Sequence, residues 1–136
     1  MLDLTATPAF RLSAIYIAIL VIGLVPLAIM VIRLRRGNRI GIGDGGNQQL
    51  ARAIRVHGNY AENAPFGMIL LIMLALLGAA TWVIHAVGLA MIAGRAAHAY
   101  GLSKTSGASM GRVMGMVLTQ TSLLMGGLAL LWTALA

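Results

Sequence analysis

Apolar residues run almost unbroken over 12–32, 65–80, 81–101 and 112–136, and polar residues collect between these runs. A helix needs about 20 mostly apolar residues to cross a bilayer. The first run, LSAIYIAILVIGLVPLAIMVI, holds no charge, and Pro26 within it is expected to bend the helix by removing a backbone hydrogen bond. The second run is short alone, but a polar helical stretch extends it backwards to about residue 48. The pattern therefore predicts an all-α integral membrane protein. It is a single domain over residues 1–136, a bundle of four transmembrane helices at 12–32, 48–80, 81–101 and 112–136. The N-terminal apolar segment is too long for a signal-peptide core and no small-residue cleavage site follows it, so it reads as retained.

Composition agrees with that class. Of 136 residues, 60% are hydrophobic and only 10% charged, with mean hydropathy +0.90, whereas a soluble domain carries about a quarter charged residues. The net charge of +7 sets nine Arg and Lys104 against Asp3, Asp44 and Glu62. Most of these cations lie between apolar spans, so they read as topological signals and attraction to anionic lipid rather than as a nucleic-acid surface. The first connection holds Arg33, Arg35, Arg36 and Arg39, and the third, GLSKTSGASMGR, holds Lys104 and Arg112, while the second is uncharged. Connections one and three are expected to be cytoplasmic and both termini to lie on the other side. The stretch RGNRIGIGDGGN is Gly-rich, but it lacks phosphate-loop spacing and follows no strand, so it reads as turn chemistry. There is no Cys, so any thiol chemistry must use a thiol carried by a ligand. No metal-ligand constellation is evident.

Candidate chemistry concentrates in residues 52–65, RAIRVHGNYAENAP. At about 100° per residue, Gln48, Arg52, Arg55, Asn59, Glu62 and Phe66 fall in a band roughly 60 to 80° wide, with His57 on the opposite side. Charges entering a membrane are costly and generally face a bundle interior or a wet cavity. An Arg55–Glu62 pair that only staples helices together is the simplest account of two of these residues. The stripe is longer than a pair, however. Its two cations, one anion and one amide suit a small zwitterionic ligand rich in carboxylate: Arg for carboxylates, Glu62 for an ammonium, Asn59 for a peptide group.

RVHGNYAENAP also resembles the R-x-x-x-N-x-x-E-x-x-P signature of the MAPEG family, membrane-associated proteins in eicosanoid and glutathione metabolism. Arg55, Asn59, Glu62 and Pro65 match position for position. The resemblance extends over nearly the whole chain, through the basic first loop, GRAAHAYG closing the third helix and GRVMGMVLTQ opening the fourth. GDGGN ahead of the signature is similar to the bacterial branch, which implies the bacterial inner membrane. The resemblance implies a homotrimer of four-helix subunits, with glutathione bound as co-substrate between neighbours near the cytoplasmic face. Arg55, Asn59 and Glu62 would contact it directly, Arg52 extends their stripe, and Arg35 or Arg36 would help hold its carboxylates. His57 stands where some members place a glutathione-contacting Gln, although its helical phase turns it away from the stripe. Arg112 corresponds to the arginine that stabilises the thiolate, with about one residue of loop length allowed, and a positive-inside anchor is its alternative role.

In the third helix, Arg95 and His98 share a face. His98 matches a family His or Tyr near the ligand, and Arg95, inside an apolar run, is expected to find a partner such as Glu62 of its own or a neighbouring subunit. Several family enzymes carry a Tyr near position 102, where this chain has Leu102, so tyrosine-assisted thiol activation is not expected. His85 reads as interfacial at the opposite membrane face, and the nine Met residues as gap-fillers. The function these features imply is a glutathione S-transferase or glutathione-dependent peroxidase acting on hydrophobic small molecules that arrive through the bilayer. The alternatives are a non-catalytic membrane protein that binds glutathione or a small anion, and a small multidrug exporter. The last would want an acidic residue in the first span, which has none.

Overall fold

The computed structural model describes residues 7–135 as four helices: α1 (Pro8–Asn38), α2 (Gln48–Leu76), α3 (Thr81–Lys104) and α4 (Met110–Leu135). Each boundary has a local cause. Thr7 caps α1, its hydroxyl oxygen accepting from the Phe10 amide at 3.3 Å, and Pro8 takes a first-turn position where no amide donor is needed. The helix continues through Pro26 and closes at Arg39, whose φ of 56° is left-handed. In the following turn, Gly43, Gly45 and Gly46 adopt φ of 69, 57 and 78°, and the Asp44 carboxylate accepts from the Gly46 amide at 2.9 Å. The Gly-rich stretch is thus a turn, as its composition predicts. Asn47 then caps α2 by accepting from the Leu50 amide at 3.0 Å.

Three helices, α1, α2 and α4, are long and apolar enough to cross a membrane. The third, α3, has the length, but His85, Arg95 and His98 interrupt its apolar run. Packing explains how it carries them. Arg95 and His98 are 1% and 5% exposed inside the bundle, and His85 Nδ1 lies 2.7 Å from the Tyr16 hydroxyl. These groups are met by protein rather than by lipid.

Neighbouring helices run antiparallel, as cross-contacts show: Ser13 donates to the Leu71 carbonyl and Tyr60 to the Leu20 carbonyl, each at 2.9 Å. The apolar core gathers Tyr16, Leu20, Tyr60, Leu71, Leu74, Ile84 and Met91. It lies towards the end of the bundle remote from the arginines. The buried face of α1 is Ala9, Ser13, Tyr16 and Leu20, spaced by one turn, and no residue from 21 to 38 is buried. That half of α1 touches the core only through partly buried residues, Leu24 and Leu27. By contrast α3 and α4 meet along glycines. A Cβ on Gly101 would stand 2.5 Å from the Arg112 amide nitrogen, and one on Gly115 would run into the His98 backbone. Small residues let the two backbones touch, the usual way helices associate where lipid offers no hydrophobic drive.

Candidate functional site

The C-termini of α1 and α3 and the N-termini of α2 and α4 form one end of the bundle, which carries eight of the ten basic side chains: Arg33, Arg35, Arg36, Arg39, Arg52, Arg55, Lys104 and Arg112. A cavity of about 460 Å³ opens there, walled by α2, the last turns of α3 and the start of α4. Gln48, Arg52, Arg55 and Asn59 line it from α2, His98 and Leu102 from α3, Ser106 from the connection and Arg112 from α4. The structure thus gathers most of the α2 stripe and sets Arg112 and His98 opposite it. No carboxylate is among the lining residues, so the cavity is an anion site by charge.

Arg112 is held in place by the connection it follows: Nη1 donates to the carbonyls of Ser106 at 2.9 Å and Gly107 at 2.7 Å. Nε and Nη2 make no hydrogen bond to the described residues, which leaves donors for a ligand. Arg52 reaches the same connection, with Nη1 3.4 Å from the Ser106 hydroxyl.

Beneath the cavity lies a buried polar network that sequence reasoning found only in part. Arg95 donates through Nη1 to Asn59 Oδ1 at 2.7 Å and to the Asn59 carbonyl at 3.2 Å. Through Nε and Nη2 it donates to the Thr119 hydroxyl at 2.9 and 2.6 Å. Among the described residues no carboxylate pairs with it, and Glu62 pairs instead with Arg55 at 3.9 Å on the outer face of α2. The expectation that Glu62 of the same subunit serves Arg95 is therefore not met. The antiparallel register of α2 and α3 places Arg95 level with Asn59, and its guanidinium points inward between α2 and α4 while Glu62 points out. Because a guanidinium only donates, it fixes the Asn59 amide with its oxygen inward, leaving Nδ2 as the group free to face a ligand. Thr119 was missed from the sequence. Its spacing of seven from Arg112, two turns along one face of α4, is the signal that could have found it.

The remaining sequence candidates lie apart. Glu62 is one turn beyond the cavity with its side chain 59% exposed. Arg35 and Arg36 line a separate hollow of about 380 Å³ at the end of α1, where Arg35 Nη1 also donates to the Gly41 carbonyl at 3.0 Å. His57, about 200° from Arg55 around α2, is not among the cavity's lining residues, as its helical phase requires. His98 and Arg112 also border a groove of about 430 Å³ whose other walls are Ala108, Val113, Met116 and Val117. A polar, cationic cavity and an apolar groove therefore meet at one arginine.

These features define a class: an all-α membrane protein with an arginine-lined anion cavity at one end of its bundle. The sequence profile of the MAPEG family matches residues 13–132, and the chain belongs to that family. It is 38% identical over 120 residues to the inner membrane protein YecN of Escherichia coli K12, an alignment covering 88% of this chain and 90% of that protein. The same figures hold for YecN of Escherichia coli O6:H1 strain CFT073.

Proposed function

We propose that this chain is a membrane-bound glutathione transferase or glutathione-dependent peroxidase that works on apolar electrophiles. One observation carries the reading: Arg55, Asn59 and Arg112 share a cavity without carboxylates, and an apolar groove opens from the same Arg112. Glutathione, the co-substrate, would place carboxylates against Arg52 and Arg55 and its peptide carbonyl on Asn59 Nδ2. Its thiol would lie near the free donors of Arg112. A guanidinium there stabilises thiolate over thiol, and thiolate is the nucleophile. An electrophile dissolved in lipid would enter by the groove of Val113, Met116 and Val117. In the transferase reaction the sulfur–carbon bond forms as the leaving group departs, and the thiol proton goes to water. No metal takes part in this scheme.

The outer face of α2 supports a homotrimer in the membrane. Glu62 and Gln120 are exposed there, and Gln120 Nε2 lies 3.4 Å from Asn63 Oδ1. Facing lipid, these groups would be costly, and a second copy of the chain would cover them. That copy would also bring Arg35 or Arg36 and His57, which a single subunit holds away from the cavity. The family relative in an inner membrane and the charge asymmetry support the bacterial inner membrane, with the basic end cytoplasmic and both termini outside.

A second reading, a binding protein without turnover, is favoured by the tether of Arg112 Nη1 to the Ser106 and Gly107 carbonyls and by Leu102 in the cavity wall. One experiment separates the two. Purified protein in detergent would be titrated with glutathione while thiolate absorbance and conjugation of an aryl halide are followed, for wild type, Arg55→Ala, Glu62→Gln and Arg112→Ala. The enzyme reading expects binding lost in the first two variants, and binding kept with thiolate lost in the third. Saturable binding without thiolate or conjugate in wild type leaves the binding protein. Unchanged binding in Arg55→Ala removes both.

A further inference from the structure

A second void at the basic end lies on the other side of α2. Where α1 makes its last core contacts, through Leu24 and Leu27, a wedge of about 550 Å³ lies between it, α2 and the end of α3. Its floor is Pro26, Ile29, Met30 and Val56, and its mouth carries Arg33 and Arg52. No carboxylate lines it. From Pro26 to Arg33 is seven residues, about 10 Å along a helix axis, so Arg33 and Arg52 cap an apolar trough that runs roughly 10 Å into a span.

We propose that this wedge binds one anionic phospholipid per subunit, with its phosphate held between Arg33 and Arg52 and an acyl chain laid over Pro26, Ile29, Met30 and Val56. Three features select this occupant. The void lies along helices that cross a bilayer, where an apolar trough is filled by hydrocarbon rather than water. The two cations at its mouth match a phosphodiester, and with no acid among the lining residues the wedge offers nothing to the ammonium of a zwitterionic head. The volume is too small for a partner helix: at a diameter of about 10 Å and a rise of 1.5 Å per residue, it admits roughly one turn. Arg52 also lines the anion cavity across α2, so the lipid phosphate and the polar ligand would share a guanidinium. The lipid site does not depend on what fills that cavity.

Native mass spectrometry of the full chain in detergent tests the site. Phosphatidylglycerol would be titrated beside phosphatidylcholine of the same acyl chains, with glycerol 3-phosphate as a third arm for the headgroup alone. One phosphatidylglycerol per subunit is expected to survive, at least tenfold more tightly held than phosphatidylcholine, with no retention of glycerol 3-phosphate. Arg33→Gln, at an exposed position, is expected to weaken retention about tenfold. Arg36→Gln removes an equal charge outside the wedge and is expected to leave lipid retention unchanged. Met30→Trp, which fills the trough and leaves both arginines, is expected to exclude the lipid, with thermal melting in lipid-free detergent showing that the fold survives. Equal retention of the two lipids, equal losses in Arg33→Gln and Arg36→Gln, full retention in a folded Met30→Trp, or binding of glycerol 3-phosphate alone would each overturn the proposal.

Discussion

The two helix pairs that reach the basic end are built in opposite ways. Between α3 and α4 the backbones touch through Gly94, Gly101, Gly111 and Gly115, so closely that no Cβ fits. Between α1 and α2 the packing is looser: no residue from 21 to 38 is fully buried, and a Cβ on Gly37 or Gly41 would meet nothing within 4 Å. The tight pair carries His98 and Arg112, the groups that face the α2 stripe across the anion cavity. The loose pair carries Arg33, Arg35 and Arg36, which face hollows. The difference teaches where precision is needed. The thiolate-stabilising role proposed for Arg112 would need its guanidinium held to within a fraction of an ångström, and a glycine seam can do that with backbone alone. The lipid and the neighbouring subunit proposed above would require room, which the exposed second half of α1 provides.

The contrast is broken most forcefully at the seam. Gly115→Leu would drive a side chain into the His98 backbone and the Gly94 carbonyl, and α3 would have to move. A loss of about 3 kcal/mol or more is expected, read as a thermal shift in detergent, together with loss of glutathione binding. Gly37→Ala, on the loose side, is expected to stay within about 0.5 kcal/mol of wild type and to keep binding. A Gly115→Leu protein as stable as Gly37→Ala would show that the seam is not rigid.

The next effect belongs to the buried cation between the pairs. Thr119→Val removes the oxygen that Arg95 meets at 2.6 and 2.9 Å, leaving a buried guanidinium with Asn59 and the Met116 sulfur as partners. A cost of about 2–3 kcal/mol is expected. Thr119→Ser keeps the hydroxyl and is expected to restore most of it. Valine as benign as serine would mean that Arg95 draws its support from elsewhere.

How much of this was legible beforehand depends on whether a feature is local. The α2 stripe was legible because helical phase needs only one helix: Arg52, Arg55 and Asn59 do line one cavity, and His57 does face away. The turn at 43–46 was legible for the same reason, since glycine and Asp44 carry the turn in their own chemistry. The helix ends were blurred. An apolar run was read to begin at Leu12 because Arg11 interrupts it, whereas Thr7 and Pro8 start the helix. Likewise α2 ends at Leu76 rather than near residue 80, and Gly78 turns the chain with φ 76°. The residues of the Arg95–Asn59–Thr119 network carry local signals, but their pairing was out of reach, because it depends on the register of three helices against one another. The looser packing of α1 was hidden too. The run from Gly23 to Ile32 is as apolar as the residues before it, yet only Leu24 and Leu27 of that run still pack on the core.

Arg112→Ala tests the functional side of the same contrast at smaller cost to the fold. Its guanidinium is tied to two loop carbonyls near the surface, so stability should change by about 1 kcal/mol or less. Turnover of an aryl halide is expected to fall about 100-fold with glutathione affinity within about threefold, since a donor aimed at developing charge acts on the thiolate rather than on ground-state binding. Equal losses in affinity and turnover would make Arg112 a binding group and move thiolate stabilisation elsewhere in the cavity.

The smallest structural effect is expected at Glu62, where the two sides of the molecule are proposed to meet. In the isolated subunit its pair with Arg55 is 3.9 Å long, with side chains 59% and 65% exposed, so Glu62→Gln should cost less than about 0.5 kcal/mol in monomer stability. If a neighbour's α1 and a bound ligand cover that face, the same substitution acts on a shielded charge, and glutathione affinity should fall about tenfold. Cross-linking in the membrane would show whether the oligomer persists. Loss of affinity with the oligomer intact places Glu62 on the ligand, and loss of the oligomer places it on the subunit interface. No effect on either would leave Arg55–Glu62 a surface pair and confine the site to the walls that α2, α3 and α4 build within one subunit.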